Sequence, residues 1–325
     1  MRDLSRQNEY KDKTVSVLAA NSVFLIGVVM LFILNFLAYR LNIEWEILGV
    51  HTFIMQITFF LIPALLYIVI KRKDLRHVLR LNKLSIGNSV LIVVITIFLI
   101  PTIGCINYMI QVSINVFGRP LPNPMPAIDS MYHLMIGIII IAIAPAICEE
   151  VLARGVIMRG YERFGNKTAW VVSATLFSIM HRNIQSVIPI FLIGIFLAYI
   201  VYRTNSIWAG VIAHFINNAV AVGLLYLAGK IQHIMGIADE QVEHAAILQA
   251  DAITIMIVIG VFIFCAAAFA GFMTLFIENT RKIKTDSKQS LISKQKVPFA
   301  HYVPMMIGVI LIILDFIGQV QYIIE

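Results

Sequence analysis

The stretch Ile138–Arg154 reads IIIIAIAPAICEEVLAR. An apolar run carrying Pro145 meets two adjacent carboxylates, Glu149 and Glu150, and then Arg154. A solvated helix end would explain Glu-Glu-x-x-x-Arg. Here apolar sequence resumes at Gly155–Met158, and further basic residues come only at Arg159 and Arg163. The charges are therefore embedded. A charge at mid-bilayer costs at least ~2.5 kcal/mol even on lenient insertion scales, so these side chains are functional candidates. On a helix Glu149 and Glu150 point about 100° apart. Glu150 and Arg154 stand at i, i+4, suited to an ion pair, which leaves Glu149 free to face a cavity.

The rest of the chain supports a membrane setting. Of its 325 residues 60% are hydrophobic and only 13% charged, and mean hydropathy is +0.88. A soluble domain is typically about 25% charged, so two soluble domains are excluded and lipid is the main solvent. Nine candidate spans follow, near 15–41, 49–70, 86–117 (kinked or broken at Pro101), 132–164, 168–186, 187–203, 207–229, 251–277 and 302–323. The expected fold is an all-α polytopic membrane protein of eight or nine transmembrane helices around an intramembrane catalytic cavity. One membrane-embedded unit divides into N-terminal helices 1–128, a catalytic core 129–229 and C-terminal helices 230–325. The first span is too long for a signal-peptide core and reads as a retained helix. Cys105, Cys148 and Cys265 lie in apolar runs and suggest neither disulfides nor a cysteine zinc site.

Basic residues set the orientation. Twenty fall on one side, in Arg2–Lys13, Lys71–Lys83, Arg159–Lys167, Arg203 and Arg281–Lys296. Four fall on the other: Arg40, Arg119, Arg182 and Lys230. The opposite loops carry Glu44, Glu46, Asp239, Glu240 and Glu243. The positive-inside rule then predicts a cytoplasmic N-terminus and an outside C-terminus; the expected setting is a bacterial cell membrane. The net charge of +7 is thereby an orientation signal, and nucleic acid is not an expected partner.

Two further groups accompany the carboxylates. Phe177-Ser178-Ile179-Met180-His181 ends one candidate span, where a lone histidine would ordinarily sit at the interface. His214-Phe215-Ile216-Asn217-Asn218 places His214 and Asn218 on one helix face, an arrangement that also serves plain interhelical hydrogen bonds. Depth joins the three groups. Glu149 and His181 lie ~20 Å from the basic turn Phe164–Lys167 on antiparallel helices, and His214 and Asn218 ~10–17 Å from the same surface. Asp315, in the last span, has no evident partner in the sequence.

In order along the chain, Glu149-Glu150…Arg154, Phe177…His181 and His214…Asn218 resemble the motifs of the CAAX-protease and bacteriocin-processing family of intramembrane proteases. The likeness covers roughly residues 130–225. Gly155 fits it and Ala153 departs from it, since an aromatic residue commonly precedes that arginine. The resemblance implies an endopeptidase in which Glu149 activates a water and His214 and Asn218 stabilise the oxyanion. His181 would position the water, Glu150 and Arg154 would hold the others in place, and Phe177 would form a pocket wall. It implies a membrane-associated substrate, lipidated or of the bacteriocin type, and no cofactor. A metal-dependent version would use Glu149, His181 and His214 as zinc ligands. A transporter or a catalytically silent immunity or scaffold protein is the competing class. The absence of a two-half repeat and the compact block of polar residues speak against a transporter.

Overall fold

A computed structural model describes residues 14–41, 53–121, 128–235, 252–283 and 296–324. The acidic residues Glu44, Glu46, Asp239, Glu240 and Glu243, and the basic segment Arg2–Lys13, lie outside the described residues. The helices in chain order are α1 (Val17–Arg40), α2 (Phe53–Ile70), α3 (Ile86–Phe117), α4 (Met131–Phe164), α5 (Asn166–Met180), α6 (Ile184–Thr204), α7 (Ile207–Met235), α8 (Ala252–Asn279) and α9 (Val303–Ile324). The protein is an all-α, polytopic membrane protein. Among the described residues eight of these helices are long and apolar enough to cross a bilayer.

The exception is α5. The sequence suggests a span over 168–186, but the helix has 15 residues. At 1.5 Å per residue it rises about 22 Å, short of a ~30 Å hydrocarbon core. It ends at His181, where Arg182 adopts a left-handed φ of 50° and the polar segment 182–186 turns the chain into α6. At the other end Gly165, with φ of 100°, makes the turn from α4 that a side chain would hinder. Pro101 does not break α3, which runs through it. The Thr102 hydroxyl hydrogen-bonds the Phe98 carbonyl at 2.8 Å in the same turn.

One face collects the basic loops. Arg159 donates to the carbonyls of His77 and Val78, and Arg80 pairs with Glu162 and donates to Asn205 Oδ1. Arg203 donates to Thr280 and to the Ile277 carbonyl, and Asn21 to the His301 carbonyl. The opposite face joins the end of α3 to the end of α9, where the Arg119 amide donates to the Ile323 carbonyl. The starts of α1 and α9 therefore share the basic face, and α9 ends on the other.

Two apolar cores flank the centre. One packs α1, α2, α4 and α5, with Phe24, Phe59, Leu152 and Ile157 fully buried. The other packs α3, α6, α7 and α8 around Ile92, Ile95, Leu197 and Phe276. The polar groups of α4, α5 and α7 meet at the seam between them.

Candidate active site

Three stretches of wide, π-type helix surround the seam: Gln56–Leu61 in α2, and Ile138–Ile143 and Val151–Ile157 in α4. Glu149 and Glu150 close the ordinary α-helical segment Ala144–Glu150 between the last two. Such π turns recur at functional sites because they rotate side chains out of the α register. Pro145 contributes locally. It has no N–H to give the Ile141 carbonyl, its partner in an α-helix. Asn218 Nδ2 donates to that carbonyl instead, at 3.0 Å.

Glu150 is fully buried and anchored twice through Oε1. Arg154 Nη1 reaches it at 2.6 Å, and His214 Nδ1 at 3.2 Å. The i, i+4 ion pair expected from the sequence is thus present. Arg154 also donates to the Gly194 carbonyl at 3.1 Å, and its guanidinium lies 4.5 Å from the Phe177 ring centre. Phe177 stands edge-on to both imidazoles, 4.8 Å from His181 and 5.9 Å from His214. Ser173 ties α5 to α4 through the Ala153 carbonyl at 2.8 Å. Gly210 lets α7 approach so closely that a Cβ there would collide with Glu150 Oε2 and with Val201.

Glu149 is the meeting point. Its Oε2 lies 3.7 Å from His181 Nε2 and 3.8 Å from His214 Nε2. That oxygen is buried and has no hydrogen-bond partner among the described residues. Both imidazoles are fixed from behind. His181 Nδ1 donates to the Phe177 carbonyl at 2.9 Å, and His214 Nδ1 faces Glu150. With each Nδ1 protonated, a neutral imidazole presents a bare Nε2 lone pair. Glu149 Oε2 then faces two further acceptor atoms, an arrangement suited to holding the hydrogens of a water. The Glu149 and His214 side chains are 4% and 5% exposed, against 30% for His181. The site therefore opens past His181, away from the basic face.

The structure brings Glu149, Glu150, Arg154, Phe177, His181 and His214 into direct contact. It places Asn218 one turn further along α7, with one amide hydrogen on Ile141 and its oxygen accepting from Asn217 at 3.0 Å. Three residues escape the motif reading. Gln56 Nε2 donates to Glu149 Oε1 at 2.8 Å. Asp315 and Gln319 of α9 hold the segment after His181. Asp315 pairs with Arg182 at 2.7 Å, and Gln319 bonds the Arg182 carbonyl and the Ile184 amide. Asp315, unexplained in the sequence, thus has its partner. The visible signal in each case is a polar side chain within an apolar helix.

No group of three or more His, Cys, Asp or Glu side chains able to hold a metal ion occurs among the described residues.

Residues 131–220 match the family model described as type II CAAX prenyl endopeptidase, Rce1-like. The matched block carries all three motifs, and the likeness to the CAAX-protease and bacteriocin-processing family holds there. The chain is also 27% identical over 142 residues to a Bacillus subtilis (strain 168) protein named "Putative membrane peptidase YdiL". That match covers 43% of this chain and 58% of YdiL. No solved structure matches the chain.

Proposed function

We propose, with that likeness as the premise, that the chain is an intramembrane endopeptidase that uses a glutamate-activated water. The observation that carries the proposal is the buried Glu149 Oε2 facing the Nε2 atoms of His181 and His214. In this reading Glu149 Oε2 takes a proton from a water that His181 helps to orient, and the water oxygen attacks the scissile carbonyl carbon. A negative charge develops on the carbonyl oxygen. His214, whose Nδ1 faces the Glu150 carboxylate, presents Nε2 to that oxygen and, when Nε2 carries a hydrogen, hydrogen-bonds the oxyanion without transferring it. The second amide hydrogen of Asn218 is the other donor. As the C–N bond breaks, the proton held by Glu149 passes to the leaving amine, so that hydroxide ends on the acyl product and hydrogen on the amine. Arg154 and Glu150 fix His214, and Phe177 walls the pocket. The substrate is a membrane-associated peptide or protein, lipidated or of the bacteriocin type, that enters past His181.

The test compares new protein termini in membranes and medium from cells carrying the wild-type chain or Glu149→Gln. Termini that vanish with the variant, at unchanged protein abundance, support the reading. Their persistence overturns it.

A zinc-dependent form of the same reaction is the second reading. Both imidazoles are oriented from behind by a carbonyl or a carboxylate, as metal-bound histidines commonly are. Glu149, His181 and His214, which as placed do not form a group able to hold a metal ion, would have to close around it, and the ion would then polarise the scissile carbonyl. Cleavage by purified protein that survives chelation, with less than one tenth of an equivalent of metal bound, supports the metal-free form. Chelator-sensitive cleavage restored by zinc supports the other.

A further inference from the structure

Gln56 lies far upstream of residues 131–220, in a helix whose mean hydropathy is 2.4. A primary amide in such surroundings is costly unless it is hydrogen-bonded. The π-type turn that starts at Gln56 packs against Ala144–Glu150 and brings its Nε2 to Glu149 Oε1 at 2.8 Å. The amide oxygen is buried without a partner among the described residues. The reverse amide orientation would set that oxygen against a carboxylate oxygen, so chemistry selects the nitrogen. One carboxylate oxygen is thereby occupied, and the other, Oε2, faces both imidazoles.

We propose that Gln56 is a positioning residue that turns the Glu149 carboxylate so that Oε2 is the oxygen presented between His181 and His214. This role rests on the protease reading above. The terminal torsion of a glutamate is broad. Without a donor on Oε1 the carboxylate samples orientations in which neither oxygen lies in line with the two Nε2 atoms. Misplacement of about 1 Å at a reacting group costs on the order of 10²-fold in rate.

The test uses the full-length protein in lipid vesicles and a quenched peptide spanning a cut site found through Glu149-dependent termini. Gln56→Met keeps the length, suits the apolar surroundings and removes the donor. Its expected effect is a fall in kcat of about 10–100-fold with KM within twofold and the protein still accumulating in the membrane. Gln56→Asn keeps the amide one methylene short of the carboxylate and is expected to lose kcat as well. A plain packing role predicts no loss for methionine. The role of Gln56 is overturned if Gln56→Met keeps kcat within twofold, if only KM changes, or if both variants fail to accumulate in the membrane. Glu149→Gln in the same assay separates the two ideas. Cleavage that survives it, or the absence of any Glu149-dependent terminus, sinks the protease reading and the Gln56 role together. Cleavage that needs Glu149 but not the Gln56 amide sinks the Gln56 role alone.

Discussion

At the residue scale, the site depends on small residues as much as on charged ones. Gly210 faces Glu150 Oε2 and Val201 so closely that α7 cannot carry a side chain there without moving. Gly210→Ala is expected to push α7 off α4, to destabilise the protein by about 1–3 kcal/mol, and to loosen His214 from Glu150. A Tm measurement in detergent, with cleavage of the same peptide, checks it. An unchanged Tm with full activity would show that the contact yields without cost. The motif residues are legible in the sequence because charge is expensive in lipid and their spacing puts them at one depth. Gln56 is not. A single glutamine in an apolar helix has a common explanation in interhelical bonding, and its partner lies 93 residues away. Asn218 is legible as polar and inward-facing, yet its bond to Ile141 depends on the carbonyl that Pro145 leaves without its α-helical donor.

At the element scale, α5 and the segment after it matter most. A helix that stops short of the far surface leaves Arg182 part-buried, and α9 supplies what it needs there: Asp315 as its ion-pair partner and Gln319 on its backbone. The Phe32 ring of α1 lies 4.6 Å from the Arg182 guanidinium and completes the enclosure. Asp315→Leu is therefore expected to cost on the order of 1–3 kcal/mol by leaving a charged donor without its acceptor. It is also expected to raise hydrogen exchange at the Ile184 and Gln185 amides and to lower kcat by displacing His181. Exchange mass spectrometry with the peptide assay checks both. Intact exchange protection would mean that α9 does not hold this segment. The shortness of α5 is visible in the apolar run Thr168–Met180, but not the element that covers its end. Nor are the π turns of α2 and α4 legible, because they conform to how neighbouring helices pack rather than to any local residue pattern.

At the scale of the whole molecule, the two faces differ in charge. The loops around Arg80, Arg159 and Arg203 interlock on one side, and the ends of α3 and α9 meet on the other. On the positive-inside rule the first face is expected to be the cytoplasmic one. In a cysteine-free background, a cysteine replacing the exposed Arg76 is expected to react with an impermeant maleimide only after cells are opened, and one replacing the exposed Arg119 in intact cells. The reverse pattern would invert the orientation.

The pairing of α9 with the segment after His181 also has a consequence in time. Arg182 and Asp315 are 133 residues apart. At 5–20 residues per second of synthesis, roughly 7–27 s pass between the appearance of the cation and that of its counter-ion. For the last 97 residues of that interval, from Asn218 to Asp315, every motif residue is already made, while the latch that orders His181 is not. If the chain is the proposed protease, competence for cleavage is therefore expected late in biogenesis, after α9 has inserted, with a chain stalled earlier carrying the motifs without the assembled site.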